Sequence, residues 1–552
     1  MHQALAQPVP QSAAAAAAGS PAAPSAATPA GAASTLPAAT PAPTASGPQF
    51  RIRAVELTGA TLIGEAEWQA VTASIVGRDI GFAELESARA AIEALFHQRG
   101  ARLVTVRIPT QETSTGVIRM LAIEPVLAAV KVSGNVHYSA ANWLAGFPAL
   151  KVGSTPDLNA VDRQLTLANE SGAKRAQVVF EAGDTPDVLR AEIRAQDAAP
   201  VAWLAFLDNT GNAQTGKLRY GLAYRNSALW ERDHQLSAQF ISAPNESNHP
   251  NHFSLLPSDK VQIFGANYRI PLYAQGATVD ATVGYSTVNS GTLANLFSVS
   301  GRGSIAGVRY TRLTDRVGGW EPRWFVAQDY RKFENRAIFG GVNFAPDIEV
   351  HPLSAGLAAN RTGDGYSAGL NTSLAANLPG GNKGGNQDFE ASRAGASSHY
   401  KVLRFGASYL GAFGSGVLNA TLDGQWTNDL LIAGEQFGAG GATSVRGFSE
   451  RFVAGDRGLR FQFEVQSAPL FDAADSPEGN VRAVGFLDGA YLERNRPAVL
   501  ERGTTSIASI GIGLRAAYRR VTLRLDAARP IVQRTGLSAT TGAVHFSLAL
   551  GF

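Results

Sequence analysis

From Pro200 onward, apolar and polar residues alternate with a period of two and no helical period is visible. Such alternation is typical of β-strands, because successive side chains point to opposite faces of a sheet. Clear examples are the segments "GATVDATVGYS", "VLNATLDGQW" and "SIGIGLRAAY". In the second segment, Leu418 and Leu422 fall on one face, whereas Asn419 and Asp423 fall on the other. The region after Pro200 must therefore fold into a long series of two-faced strands.

The polar face of these strands distinguishes a membrane barrel from a soluble sandwich. A soluble sandwich would carry many lysines and glutamates on that face, but here it holds mainly Asn, Thr, Gln and Gly with scattered charges. This composition suits lipid outside and a wet, polar lumen inside. No run of eighteen apolar residues exists, so a helical membrane span is not expected.

The length of this region predicts the number of strands. A membrane-crossing strand needs about ten residues, and residues 200–552 provide about 22 residues for each of 16 strands with its connection. The predicted fold of this region is an all-β, 16-stranded transmembrane β-barrel. Its final segment, "GAVHFSLALGF", places four large apolar residues on one face: Phe546, Leu548, Leu550 and Phe552.

The residues before the barrel have a different texture. Residues 1–48 are rich in Ala, Pro, Ser and Thr, and they predict a disordered leader. Residues 49–125 predict the order β-α-α-β-β, and residues 126–199 repeat that order with shorter helices. The predicted fold class is therefore two α+β domains followed by the barrel.

Composition argues against several functions. The 48 basic and 45 acidic residues are nearly balanced, so no nucleic-acid partner is expected. There is no cysteine, and the nine histidines show no metal-ligand spacing. The segment "GYSAG" around Ser367 matches a nucleophile elbow, but no helix follows it as that motif requires. We therefore expect no catalytic residues, no metal and no cofactor.

Several motifs resemble those of one protein family. The paired β-α-α-β-β units resemble POTRA domains, and Pro109, Gln111 and Gly116 match the end of a first POTRA domain. The segment that starts the barrel resembles the family's D-N-x-G-x-x-x-x-G motif through Asp208, Asn209, Gly211 and Gly216, and a later strand resembles its Y-x-x-P-L-x-x-x-G motif through Tyr268, Pro271, Leu272 and Gly276. Together these features resemble the TpsB transporters of two-partner secretion, the haemolysin secretion/activation proteins of the ShlB/FhaC/HecB type. By the same resemblance, Phe546, Leu548, Leu550 and Phe552 form a C-terminal signal for barrel insertion.

The segment "GGATSVRGFSE" carries the candidate site. Its V-R-G-F sequence, Val445, Arg446, Gly447 and Phe448, resembles the tip of the family's long loop, which folds back into the barrel. The resemblance implies that the loop, around residues 434–458, meets an inner-wall motif at Phe486, Asp488 and Gly489. A guanidinium can bind a carboxylate with two parallel hydrogen bonds. Glu464, which alternation also turns inward, is the alternative partner of Arg446.

The resemblance implies a protein of the bacterial outer membrane with its POTRA domains in the periplasm. Its function would be to export one large β-helical TpsA-type exoprotein, a haemolysin or adhesin, to the cell surface. Expected partners are that exoprotein, outer-membrane lipid and, during insertion, the barrel-assembly machinery. The alternative function is assembly and insertion of other outer-membrane proteins, for which more than two POTRA domains are typical. A passive porin is a further alternative, against which the POTRA pair argues.

Overall fold

The computed structural model describes residues 49–552 with ten internal gaps, and the predicted leader, residues 1–48, lies outside the described residues. The gaps are residues 212–216, 247–252, 288–290, 294–296, 300–301, 335–337, 340–341, 344–345, 472–478 and 500. Gly216 of the first barrel motif falls in one of these gaps.

The first N-terminal unit has the predicted β-α-α-β-β order with two additional short strands. Its elements are β1 (Phe50–Arg51), β2 (Ala54–Thr58), α1 (Glu65–Thr72), β3 (Asp79–Ile80), α2 (Phe82–Gln98), β4 (Thr105–Arg107) and β5 (Val117–Ile123). In its main sheet, β5 lies between β2 and β4, parallel to β2 and antiparallel to β4. The apolar stripe of α2, with Leu85, Ile92 and Phe96, is buried in the core.

The second N-terminal unit repeats this topology. Its elements are β6 (Val126–Ser133), α3 (Ala140–Ala145), α4 (Leu158–Asn169), β7 (Lys174–Ala182) and β8 (Val188–Asp197). Again the last strand, β8, lies in the middle, parallel to β6 and antiparallel to β7. Ser139 and Asp157 cap the two helices through side-chain oxygens that accept backbone N–H groups. The core is centred on Trp143, which is completely buried.

The region after Pro200 forms a closed barrel of sixteen strand positions, which confirms the predicted fold class. The barrel strands are β9 (Val201–Asp208), β10 (Arg219–Leu229), β11 (His234–Glu246), β12 (Phe253–Leu272), β13 (Ala277–Ser286), β16 (Arg302–Leu313), β17 (Glu321–Glu334), β20 (Ile348–Val350) with β21 (Pro352–Gly363), β22 (Tyr366–Asn377), β23 (Lys401–Phe413), β24 (Gly416–Trp426), β27 (Arg457–Gln466), β28 (Gly479–Glu493), β29 (Thr504–Tyr518), β30 (Val521–Arg534) and β31 (Ala543–Gly551). Both β20 and β21 pair with β17, so they occupy one position in the wall. Pairing of β31 with β9 closes the barrel.

The remaining elements lie in connections between barrel strands. They are β14 (Gly291–Leu293), β15 (Phe297–Val299), β18 (Ile338–Phe339), β19 (Val342–Asn343), helix α5 (Asn386–Ser392), β25 (Phe437–Ala439) and β26 (Val453–Gly455). The strands among them pair as three small hairpins. Within the described part of the chain, no helix is both long and apolar enough to cross a membrane.

The two faces of the barrel wall follow the alternation in the sequence. Leu422 and Ile512 are exposed on the outer face, and Ile512 is 72% exposed. The intervening polar residues turn inward, where Asp423 binds Arg460 of the neighbouring strand and Asp280 binds Arg269. The side-chain period of two therefore separates an apolar exterior from a charged interior.

The connections at the two ends of the barrel differ. At one end, the turn 230–233, the 3₁₀ turn Tyr273–Gln275 and the connection 314–320 lie against the second N-terminal unit. The opposite end carries longer connections, including residues 378–400 with α5 and residues 427–456. The strand order places the tight turn at 519–520 at the barrel end that faces the N-terminal units.

Candidate functional site

The connection between β24 and β27, residues 427–456, folds into the barrel. It forms the β25–β26 hairpin, whose tip carries the V-R-G-F sequence. Val445 and Phe448 are completely buried and pack in one cluster with Ala490 and Ile507 from the inner face of the wall. Because these apolar contacts join the hairpin to β28 and β29, the tip has a fixed place against the wall.

Arg446 is the polar centre of this tip. Its Nε donates to Asp488 Oδ2 at 2.7 Å, and its Nη2 donates to Asp488 Oδ1 at 2.8 Å. Its Nη1 donates to Glu464 Oε2 at 2.7 Å. Sequence reasoning treated Asp488 and Glu464 as rival partners, but the guanidinium contacts both, with two bonds to Asp488 and one to Glu464. All three side chains are buried.

The surrounding charges extend this cluster around the wall. Asp526 on β30 lies 3.6 Å from Arg446 Nη1. Arg515 on β29 binds both acids, with 2.7 Å to Glu464 Oε2 and 2.7 Å to Asp526 Oδ1. Arg524 also binds Asp526, with 2.8 Å from its Nε to Oδ2. Three arginines and three carboxylates thus form one network around the buried Arg446. Asp526 and Arg515 were not predicted as site residues. The available signal was the alternation along β30 and β29, which turns both side chains inward.

Phe486 of the wall and Gly447 of the tip explain how the arginine approaches the wall. The guanidinium carbon of Arg446 lies 3.4 Å from the centre of the Phe486 ring, so the inner-wall phenylalanine provides a cation–π contact. Gly447 has φ +90°, and a Cβ there would lie 3.1 Å from Ala528 Cβ. Its backbone N–H donates to His545 Nε2 at 3.1 Å. A side chain at Gly447 would therefore be strained and crowded.

Gly489 is a correction to the predicted inner-wall motif. It pairs with Phe461 on the outer face, where a Cβ would lie 2.6 Å from the Phe461 ring. Alternation places Gly489 in phase with the outward residues Leu487 and Tyr491, and out of phase with Asp488. Its contribution is to make room for an outward aromatic ring, and only Phe486 and Asp488 of this motif face Arg446.

The electrostatics of the tip favour a charged arginine. Burial alone would lower the pKa of Arg446, but the hydrogen bonds and charges of Asp488 and Glu464 outweigh it and raise that pKa above its usual value. The guanidinium is therefore a permanent cation. Removing it would leave the buried Asp488 carboxylate without a hydrogen-bonded cation, whereas Glu464 would keep its bond to Arg515.

The base of the same connection is held by a second set of charges that sequence reasoning missed. Asp456 is completely buried and accepts two hydrogen bonds from Arg393, which follows α5. Glu435 is bound by Arg331 at 2.6 Å and by Arg404 at 3.2 Å. These partners come from other connections and strands, so the periodicity of the sequence does not predict the pairs. The inward hairpin is therefore fixed at both its base and its tip.

The second N-terminal unit is joined to the barrel through a buried lysine. Lys174 Nζ donates to Asp233 Oδ2 and to Asn142 Oδ1, both at 2.7 Å. Its ammonium also lies 4.1 Å from the Trp143 ring centre. Tyr273, of the Y-x-x-P-L turn, donates its hydroxyl to Asp233 at 2.8 Å. Burial lowers the pKa of Lys174, and the charge of Asp233 offsets part of that effect.

The C-terminal residues lie on the outer face of the barrel. Leu548, Leu550 and Phe552 are exposed there, and Phe546 occupies the same phase of β31. This position is compatible with lipid contact, and the role of the four residues as an insertion signal stays a prediction. The described residues contain no cluster of acidic or histidine side chains suited to a metal ion.

Comparison with known proteins connects this architecture to one family. The model of the haemolysin secretion/activation protein ShlB/FhaC/HecB family matches residues 190–516, and the model of the ShlB-type POTRA domain matches residues 50–124. The outer membrane transporter CdiB of Escherichia coli O6:K15:H31 (strain 536 / UPEC) is 24% identical over 538 residues, which cover 93% of this chain and 85% of the relative. The outer membrane transporter CdiB of Dickeya dadantii (strain 3937) is 22% identical over 516 residues, which cover 92% of this chain and 87% of the relative.

Solved structures show the same fold. CdiB from Escherichia coli superposes with a TM-score of 0.71 at 20% identity, covering 94% of this chain and 93% of that one. CdiB from Acinetobacter baumannii gives a TM-score of 0.68 at 14% identity, covering 92% of this chain and 91% of that one. The family match spans more than half of the chain and confirms the resemblance predicted from its motifs. The chain belongs to the haemolysin secretion/activation protein ShlB/FhaC/HecB family.

Proposed function

We propose that this protein is an outer-membrane translocator that exports a large β-helical exoprotein of the haemolysin or adhesin type from the periplasm to the cell surface. It lies in the outer membrane with its N-terminal units in the periplasm. The family match and the barrel architecture support the transporter class. The type of exoprotein rests on the family resemblance.

The observation that carries the proposal is the Arg446 network inside the lumen. A hairpin held there by Asp488 and Glu464 occupies space that an exported chain must cross. The charged pairs are specific and reversible, so the tip is released as a unit when the arginine leaves its two acids. A passive porin has no need for such a fixed hairpin together with two periplasmic units.

The N-terminal units provide the entry side of this path. The edges of their sheets are formed by β2 and β4 in the first unit and by β6 and β7 in the second. An unfolded exoprotein segment can add a strand at such an edge, because extended backbone supplies the matching hydrogen bonds. The second unit lies against the barrel end through Lys174 and Asp233, so a bound segment is delivered beside the lumen.

The test is secretion of a co-expressed β-helical exoprotein, measured at matched surface abundance of the transporter. We expect Arg446→Ala and Asp488→Asn each to impair secretion, because a tip without a defined place on the wall obstructs the lumen and no longer moves aside as a unit. Arg520→Ala, in a short turn far from the hairpin, is the matched control and should secrete normally. Full secretion by Arg446→Ala at wild-type abundance would contradict the proposal.

The alternative function, assembly of other outer-membrane proteins, has a separate readout. An assembly factor would alter the amounts of other barrel proteins in the outer membrane when it is deleted. We expect deletion to remove the exoprotein from the surface and leave those amounts unchanged. Residues 50–197 hold two units of the POTRA topology, which is the number expected of a translocator.

A further inference from the structure

A groove lies on the outward, apolar face of the barrel over strands β28 to β31. It has a volume of about 900 Å³. Its middle is a row of paired residues, Gly485, Ile512, Ala527 and Val544, each on the next strand. Together with Arg529 these residues define what is called here the outer groove.

The shape of the outer groove follows from residue size. Ile512 projects as a rib, whereas Gly485 and Ala527 on either side of it present almost no side chain. A Cβ placed at Gly485 would meet nothing within 4 Å, so the space above this residue is open. Two shallow troughs therefore flank Ile512, and their walls are apolar side chains such as Leu487 and Val544.

One charged residue interrupts this apolar surface. Arg529 lies on β30 two positions beyond Ala527, on the same outward face and farther from the N-terminal units. Its side chain is exposed, and no hydrogen bond or ion pair of that side chain is found among the described residues. An arginine on the lipid face is costly at mid-membrane and much less so near the interface, where an anionic headgroup can bind it.

We propose that the outer groove is a binding site for a phosphorylated membrane lipid. Its acyl chains lie in the troughs beside Ile512, and its phosphate binds the Arg529 guanidinium. Acyl chains match the apolar walls, and the planar guanidinium matches a phosphate through paired hydrogen bonds. The arginine lies toward the barrel end opposite the periplasmic units, so the lipid belongs to the outer leaflet. The inference rests on the outer-membrane location and is independent of the exported cargo.

The test uses the full chain, freed of lipid in detergent and examined by native mass spectrometry. Phosphatidic acid and diacylglycerol with identical acyl chains are the two probes, because they differ only in the phosphate. We expect wild type to bind phosphatidic acid about tenfold more tightly than diacylglycerol. Arg529→Ala should lose this preference, and Gly485→Leu, which fills an open trough without a clash, should weaken binding of both lipids.

Two controls separate the proposal from general effects. Arg520→Ala removes an arginine outside the groove and should leave both affinities unchanged. Heat-dependent migration in electrophoresis verifies that each variant barrel is folded. The proposal is overturned if Arg529→Ala keeps the preference, if Gly485→Leu binds both lipids like wild type, or if inorganic phosphate displaces phosphatidic acid at equal concentration.

Discussion

Asp488 Oδ2 accepts two hydrogen bonds from Arg446, one from the backbone N–H at 3.1 Å and one from Nε at 2.7 Å. A single carboxylate oxygen therefore fixes both the backbone and the side chain of the hairpin tip. The second oxygen of Asp488 binds Nη2, which leaves Nη1 for Glu464. Geometry of this kind requires the planar fork of arginine, since an ammonium group provides donors from only one atom.

Arg446→Lys should weaken the attachment of the hairpin tip to the barrel wall while keeping the positive charge. Loss of the paired hydrogen bonds to Asp488 should cost about 1.4 kcal/mol, which corresponds to about a tenfold rise in release of the hairpin. Because the chain contains no cysteine, Ser444→Cys supplies a single buried thiol beside the arginine. Its labelling by a membrane-impermeant maleimide measures release. The same thiol combined with Arg520→Lys is the control. Equal labelling of the thiol with wild-type Arg446, with Arg446→Lys and with Arg520→Lys would disprove a role for the planar guanidinium.

Lys174→Met should loosen the joint between the second N-terminal unit and the barrel. The change leaves the Asp233 carboxylate buried without its cation, which typically costs about 3–5 kcal/mol. Lys174→Met combined with Asp233→Asn should cost less than Lys174→Met alone, because the uncompensated charge is gone. Hydrogen exchange of the amides in residues 139–146 and 229–234 measures the opening.

A surface ion pair across the same junction provides the control for that experiment. Arg163 binds Asp315, and both side chains are partly exposed to solvent. Arg163→Met should therefore cost no more than about 1 kcal/mol. If Arg163→Met and Lys174→Met raise exchange equally, the buried lysine has no special importance for the joint.

The sequence predicted those features that depend on local periodicity. Alternation located the barrel, its outward leucines and the inward phase of Asp488 and Glu464. The same alternation also predicts that Gly489 faces outward, but the resemblance to the inner-wall motif suggested an inward position. The V-R-G-F loop and its partner Asp488 were predicted through family resemblance, whereas inward phase and charge alone left Glu464 as an alternative partner.

Contacts between distant elements could not be predicted in this way. Asp456 and Arg393 come from two different connections, and neither belongs to a periodic segment. Lys174 occurs at the start of an ordinary strand, and its partner Asp233 lies in a tight turn of the barrel. Both pairs exist only after the strands have closed and the units have docked, so their partners depend on tertiary geometry that no local pattern encodes.

Glu450 should make attachment of the hairpin depend on pH. Its carboxylate accepts the N–H of Ala442 inside the barrel at 2.9 Å. Burial raises the pKa of Glu450 from 4.5 to about 7; the Ala442 hydrogen bond and Arg460 oppose this shift, and Asp208 adds to it. The attached hairpin therefore holds a proton that the released hairpin gives up. Attachment is strongest below pH 4.5, weakens as pH rises toward about 7, and is constant above it.

The measurement for Glu450 compares wild type with Glu450→Gln. Glutamine stays neutral, so its hairpin should not weaken between about pH 4.5 and 7, where wild type should lose about 2–3 kcal/mol. The ratio of hydrogen-exchange rates of the two proteins in residues 437–455 reports this difference at each pH. Glu501→Gln, in an exposed connection, is the control and should follow wild type. A constant ratio between wild type and Glu450→Gln would contradict the prediction.

Asn209→Ala should destabilise the closing seam of the barrel. The ladder between β31 and β9 ends at the pair Ser547 and Asp208, and beyond it the Asn209 side chain continues the pairing. Its Nδ2 donates to Val544 O at 2.7 Å, and its Oδ1 accepts the N–H of Phe546 at 2.9 Å. Loss of two such bonds should cost about 2 kcal/mol.

The seam prediction is measured as the temperature at which the folded barrel loses its fast migration in electrophoresis. We expect Asn209→Ala to lower that temperature by a few °C, about the shift that 2 kcal/mol produces in a large domain. Asn371→Ala is the matched control, because Asn371 lies within a continuous ladder and makes no side-chain hydrogen bond to another described residue. Closure of a barrel depends on its weakest ladder, so a loss at the seam should exceed the same loss elsewhere. Equal temperatures for the two variants would show that the asparagine side chain contributes nothing specific to closure.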